Sequence, residues 1–587
     1  MKKNNYNSFI LNFSIIFLII SLNSCNSIAN KSATRLKTQK RVPATTEITI
    51  NYPEIFKASR EILKQDLMTP THIVKKDFKN LPESLLIENL QVQERELPEA
   101  ISTTILQHEA LIELLKKESS QKVDPSKHLR LIPPKGTSGY SDLQFYSSHP
   151  YSYIPEGQTK SKNIPQSNLV EIWKSFIAKA EKQIVLNVYD FDLETIAETL
   201  IKKGQKGLQV RVGIDKNVIA NRPEVKKIFD LLNKSGVIQV TAVDSVGLNH
   251  QKMTAIDWDY PNMARVLFSS GNLTQSCLDP EGDIKNIKPH PDDAIPNANH
   301  LITMKSWLLA NLVNHELSKT LDPDLQLRGA QYPLTGAYQV TGPEVKDPEN
   351  LFSEPRPLHS LIISFTPGGG YKDVNANLIA RLISENNGPL RLIQFAFSSS
   401  EVGDAIFAKA HQAYINKKNF DFLSVGDTPF SLQKWSQFLK LSGLKVLKNK
   451  GQKNKYFSED SESPSSKLLS PEQLQDLRSK IFIGPKNYRT HSINLPDGSS
   501  QRISAKIHHK ILAIGDFAIV GTSFNFSKNA QSNNEQILIF REPDLARRVN
   551  GMTQWLAISS GKTVYQEALR RNNYNEPPSE ENESEAP

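Results

Sequence analysis

Three apolar runs in this chain recur in the same order further along it. LQFYSSHP at 143–150 is matched by LIISFTPG at 361–368, QIVLNVYDF at 183–191 by LRLIQFAF at 390–397, and LQVRVGID at 208–215 by FDFLSVGD at 420–427. Short runs of this kind, rich in β-branched and aromatic residues, suit buried strands. Between them, 168–182 and 193–203 carry apolar residues at helical spacing. Strands alternating with helices define an α/β class with a largely central sheet. A duplicated α/β unit is therefore expected, as two tandem sandwich lobes over 140–330 and 358–572, joined by a Pro-, Gly- and polar-rich linker at 331–357.

The second copy is the longer. Asp215 stands 35 residues before His250, and Asp427 stands 81 before His508. The difference corresponds to a polar stretch at 449–497, which reads as an exposed insertion. Residues 51–135 have helical spacing and carry no assignable chemistry. The acidic end, 573–587, reads as a solvated tail.

The first residues bear on location. Lys2 and Lys3 precede an apolar stretch at 9–22 that is too short to span a bilayer comfortably and has the build of a signal-peptide core. Leu22-Asn23-Ser24-Cys25 follows and is similar to a bacterial lipobox, in which the cysteine is lipidated and becomes the mature N-terminus. The expectation is a lipoprotein-type signal peptide at 1–24, lipidation at Cys25 and a tether in 25–135. Asn26 after the cysteine fits an outer-membrane address in a Gram-negative host. The alternative is an ordinary signal peptide or an uncleaved anchor. Cleavage would leave Cys277 as the one thiol, which excludes a disulfide framework. The formal net charge of +9 favours anionic partners, phospholipid headgroups or nucleic acid, without choosing between them.

The chemistry is carried by two short motifs at matching places in the repeat. In NHQKMTAID, at 249–257, His250 and Lys252 are two residues apart and share one face of a strand. FSSGNLT follows at 268–274 and offers Asn272 after small residues that permit close approach to an anion. In IHHKILAIGD, at 507–516, His508 and Lys510 repeat the arrangement, with Ser523 and Asn525 downstream in VGTSFNFS and Glu535 beyond. One H-x-K carries little weight. Two, each followed by Gly or Ser and an Asn, are hard to explain by packing.

This pattern resembles the phospholipase D superfamily, with the likeness carried by 250–274 and 508–527 and extended over 140–572 by the repeated strands. The resemblance implies two phospholipase D-like lobes with one active site between them, needing no metal or other cofactor. One histidine, His250 by precedent, attacks phosphorus to give a phosphohistidine. The other, His508, protonates the leaving alcohol and then activates water or an acceptor alcohol. Lys252, Lys510, Asn272, Asn525 and Ser523 are the implied phosphate binders. The pattern also places an Asp five residues after each Lys. Asp257 satisfies it in the first motif, but the second has Gly515, with Asp516 one place later; these carboxylates either serve the catalytic histidines directly or make local strand-end hydrogen bonds. Glu535 matches a position that orients histidine, and the first copy has Asn299 there, beside His300.

The implied partners are a phospholipid substrate and a membrane surface. A nuclease acting on nucleic-acid phosphodiesters is the alternative within the same chemistry. A catalytically impaired phospholipid-binding protein, suggested by Gly515, is the alternative outside it.

Overall fold

The computed structural model describes residues 139–245, 247–278, 297–321, 337–341, 359–366, 374–447, 455–484, 490–494, 500–504 and 506–572. The expected signal peptide, Cys25, the helical region before 139, most of the linker and the acidic tail lie outside them.

Seven strands form the first sheet: β1 (Ser141–Ser147), β2 (Gln183–Val188), β3 (Gln209–Asp215), β4 (Gln239–Val243), β5 (Lys252–Ile256), β6 (Arg265–Ser269) and β7 (His300–Lys305). Their spatial order is β1-β7-β6-β5-β2-β3-β4. The second sheet repeats this with β8 (Ser360–Thr366), β9 (Leu390–Gln394), β10 (Phe422–Gly426), β11 (Ile481–Ile483), β12 (Lys510–Ile514), β13 (Phe517–Val520) and β14 (Glu535–Arg541). The order is β8-β14-β13-β12-β9-β10-β11, with Ala337–Thr341 added outside β8. In both sheets the three strands at one end, β2-β3-β4 and β9-β10-β11, run parallel, and the other pairings are antiparallel. The chain is thus two tandem α/β lobes, and the three repeated runs supply equivalent strands in each.

Helices cover both faces, which is why the central strands read as unbroken apolar runs rather than alternating ones. The helix Leu169–Ala178 starts where the side chain of Asn168 accepts the Glu171 backbone N–H. The helix Pro543–Ser560 begins with Pro at its first position and ends at Gly561 in the left-handed region. Each lobe has an outer core of its own. A third core belongs to both. It joins Met253 and Ala255 of β5 and Leu309, Val313 and Leu317 of the helix Trp307–Leu321 to Ile511 and Ala513 of β12 and Val549, Met552 and Leu556 of Pro543–Ser560. Burying this shared apolar surface holds the lobes together.

The polar stretch expected as an exposed insertion is folded over 455–484. Tyr456–Glu459 pairs with Leu444–Leu447, Phe457 and Leu477 are buried, and Ile481–Ile483 is β11 itself. Few but regularly placed apolar residues anchor it, and its average polarity hides them.

Candidate active site

Each H-x-K motif sits at the start of a central strand, β5 or β12, and the same device fixes the backbone before it. Asp215, at the end of β3, accepts the N–H of Asn249 at 2.9 Å, and Asp427, just after β10, accepts the N–H of Ile507 at 3.0 Å. Both aspartates are buried, and burial raises their carboxyl pKa values, that of Asp427 to about 7. Asn187 of β2 adds bonds to Asn249 and Gln251, on either side of His250.

The two lobes pair at the motifs. Single β-bridges join Asn249 to Asn534 and Ala298 to Ile507. The next residue in each bridged segment is a site residue. His250 Nδ1 lies 2.8 and 2.9 Å from the two carboxylate oxygens of Glu535, across the interface. His508 Nδ1 lies 2.9 Å from Asn299 Oδ1. Asn299 Nδ2 donates to the carbonyl of Cys277 and its Oδ1 accepts from Ser270, so the amide presents oxygen to His508. Both Nδ1 atoms therefore carry hydrogen, and in the neutral rings both Nε2 atoms hold a lone pair.

The lysines are fully buried. Lys252 Nζ donates to the His250 carbonyl at 2.6 Å, and Lys510 Nζ lies 3.0 Å from both ring nitrogens of His508. Burial lowers the Lys252 pKa to about 8, and lowers Lys510 well below its ordinary value, with Lys252 adding to the effect. His250 is lowered by burial, against which Glu535 acts. His508 is lowered further, by burial and then by Lys510, Lys252 and His250. Four groups from two lobes thus feel one another's charge. A bound phosphodiester anion would oppose every one of these downward shifts.

Two aromatic rings flank the pair. Tyr189, just after β2, meets His250 edge-on at 5.4 Å, and Phe395, just after β9, meets His508 at 4.7 Å. The residues next to these rings differ between the lobes. Asp190 is buried and paired with Arg222, which also reaches Asp192 and Glu224. In the other lobe Phe430 packs 4.3 Å from Phe395, with Trp435 5.9 Å further on.

Asn272 and Asn525 each keep a buried Oδ1 with no hydrogen-bond partner among the described residues; an amide oxygen only accepts, so an anion would be met by their Nδ2 donors. Ser523 is engaged within its own lobe. Its hydroxyl donates to Gln536 Oε1 and accepts the Gln536 N–H, both at 3.0 Å, so it braces β14 instead of facing an anion.

Of the two readings of the motif carboxylates, the structure gives Asp257 the strand-end one. Asp257 lies past the far end of β5, roughly 16 Å of strand from Lys252. Its carboxylate accepts the backbone N–H groups of Glu181, Lys182 and Gln183 at 2.8–3.3 Å. Gly515 holds the equivalent corner with nearly the same backbone, φ +55° against +52°. A Cβ there would lie 2.6 Å from the Asn387 carbonyl oxygen, which explains the glycine. Asp516 sits beside it in the tight turn between β12 and β13. Neither carboxylate reaches a site histidine.

Sequence reasoning passed over Asp215 and Asp427, although both end repeated strand runs at matching places. It gave no role to His509, between His508 and Lys510. No cluster of His, Cys, Asp and Glu that could hold a metal ion occurs among the described residues.

Residues 173–295 match the family model described as cardiolipin synthase, PLD-like domain, a span that contains the first motif and Asn272. The chain thus carries a phospholipase D-like domain. No curated protein sequence matches it at a significant level. Among solved structures it is similar to Nuc of Salmonella typhimurium, a phospholipase D family member (17% identity, 30% of this chain and 93% of that one, TM-score 0.22). NucT from Helicobacter pylori is similar at 16% identity, over 30% of this chain and 97% of that one, with TM-score 0.22. Phosphatidylserine synthase of Haemophilus influenzae Rd KW20 is similar at 12% identity, over 75% and 95%, with TM-score 0.41.

Proposed function

We propose that this chain is a phospholipase D-type phosphodiesterase that hydrolyses or transfers the phosphatidyl group of phospholipids through a phosphohistidine. The cross-braced pair of H-x-K motifs carries the reading.

His250 Nε2 attacks phosphorus as the bond to the leaving alcohol breaks, and His508, protonated on Nε2, gives that alcohol its proton. The attacking ring becomes cationic on phosphorylation, and Glu535 at its Nδ1 stabilises that charge. His508 has only an amide oxygen at Nδ1, which leaves it the stronger acid. Neutral His508 then takes a proton from water or an acceptor alcohol. The resulting oxygen nucleophile breaks the P–N bond and restores His250. Lys252 and Lys510, with Asn272 and Asn525, bind the nonbridging oxygens.

A lipid substrate is supported by this difference, since an amphiphilic diester has one alcohol for the ionic side at Asp190 and Arg222 and one for the aromatic side at Phe430 and Trp435. A lipid anchor at Cys25, holding the body to a bacterial membrane on its periplasmic side or at the cell surface, would supply that substrate. No helix among the described residues is long and apolar enough to cross a membrane. The aromatic ladder also suits base stacking, which keeps a nuclease as the second reading. An impaired binding protein loses its motive, because Gly515 lies away from the histidines.

Headgroup release from mixed phospholipid vesicles in EDTA, by the mature chain and by His250→Ala and His508→Ala variants, tests this. Release lost in both variants is expected. Cleavage of nucleic acid without lipid turnover would select the nuclease, and inertness toward both would reject a phosphodiesterase.

A further inference from the structure

Behind His508 lies a buried line of three imidazoles that the mechanism above does not use. His509 faces away from the site, with its Nδ1 2.9 Å from His300 Nδ1 and its Nε2 2.9 Å from His149 Nε2. His149 Nδ1 lies 3.1 Å from the Pro150 carbonyl oxygen. The ring planes of His300 and His509 are within 7° of parallel, and His149 stands at 87° to His509. All three are fully buried.

A carbonyl can only accept, so His149 Nδ1 carries hydrogen, and in a neutral ring its Nε2 accepts. His509 must then donate from Nε2 and accept at Nδ1, and His300 must donate from Nδ1. With all three rings neutral every tautomer in the line is set, and the line ends at His300 Nε2, which is buried with no partner among the described residues.

The line spans the lobe interface, since His149 and His300 belong to the first lobe and His509 to the second. It also doubles a contact already described: adjacent residues Asn299 and His300 meet adjacent residues His508 and His509, each pair at 2.9 Å. The other motif has no such line. There Gln251 bonds Asn187, and Gln536 bonds Ser523. The histidines thus buttress the motif whose orienting group is a neutral amide, and the motif with the carboxylate stands without them.

We propose that His300, His509 and His149 are positioning residues, a neutral tautomer-locked strut that fixes His508 and Lys510 against the first lobe where no carboxylate does so. Burial disfavours charge on two of its rings: His300 is lowered to about 3, with Lys510 and His149 adding to the effect, and His509 is lowered well below its ordinary value, with His149, His300 and Lys510 adding. Around it also lie Tyr151, whose ring is 6.5 Å from His149, and the covering rings of Phe145 and Trp555.

The role in catalysis rests on the phosphodiesterase reading, but the strut itself can be tested apart from it. Nitrogen-15 spectra of the imidazoles in the full chain should show His149 and His300 protonated on Nδ1 and His509 on Nε2, unchanged from pH 8 to pH 5. Any other tautomer set, or a cationic ring in that range, overturns the strut. In the activity assay, His300→Leu should lower kcat about 100-fold with KM changed by less than about threefold. His300→Asn, whose amide nitrogen can take the place of Nδ1, should recover most of that loss, and His300→Gln, whose amide sits one bond further out, should not. Equal kcat in the Asn and Gln variants overturns the positioning role even if the Leu variant does not fold. Wild-type inertness on every phosphodiester would overturn the proposed function and the positioning role with it, while the spectra would still decide the strut.

Discussion

The Nδ1 atom of His250, on the first lobe, lies 2.8 Å from a carboxylate oxygen of Glu535, on the second, while the matching atom of His508 faces the amide oxygen of Asn299. This inequality is the basis for assigning the two histidines different work. Glu535→Gln removes the one group that holds the His250 pKa up against burial. With His250 as nucleophile, the acid limb of the kcat profile should move to lower pH, because the ring loses its proton earlier. The plateau should fall about 100-fold, because the cationic phosphohistidine loses its counter-charge. A steady-state pH profile checks both, and an unmoved acid limb would remove His250 from that role.

Asn299→Asp is the complementary change. A carboxylate beside His508 favours its charged form and raises its pKa. A histidine that must be protonated to act would then stay competent to higher pH. The alkaline limb of kcat should move up by about one pH unit, with a lower plateau because the acid is weaker. A limb that moved down, or held still, would contradict the acid assignment.

Asp257 should matter for stability and not for chemistry. Its carboxylate takes three backbone N–H groups where β2 begins. Asp257→Asn should lower unfolding free energy by about 1–3 kcal/mol in urea titrations and leave the kcat of the folded protein unchanged. Gly515→Ala should cost about 1–2 kcal/mol for the left-handed backbone, with the Asn387 carbonyl adding to it. A kcat loss in either folded variant would return these corners to the active site.

Cys25→Ala should abolish incorporation of labelled fatty acid in a bacterial host and release the protein from the membrane fraction. Incorporation that persists would place any lipid elsewhere.

Much of the fold was legible because strands and helices leave local periods. The runs at 183–191 and 390–397 could be matched by eye, and the i, i+2 spacing of His250 and Lys252 could be read as one strand face. The insertion misled because its anchors, among them Phe457 and Leu477, are few among polar neighbours. The site was harder to read, because its decisive pairings are not local. His250 meets Glu535 across 285 residues, and His300 meets His509 across 209. Asp257 could be read two ways, and the fold decides, because a strand carries its ends apart.

The exchange of partners between the halves has a consequence for how such a chain can change. Each lobe supplies the histidine and lysine of one motif and the orienting group of the other, so neither holds a working set. A mutation in the coding region of one half is felt as a defect in the other half's histidine, and compensation can arise in either. The two copies are free to drift apart in sequence, but not to part company. Made as separate polypeptides, they would have to find each other before either histidine met its orienting group.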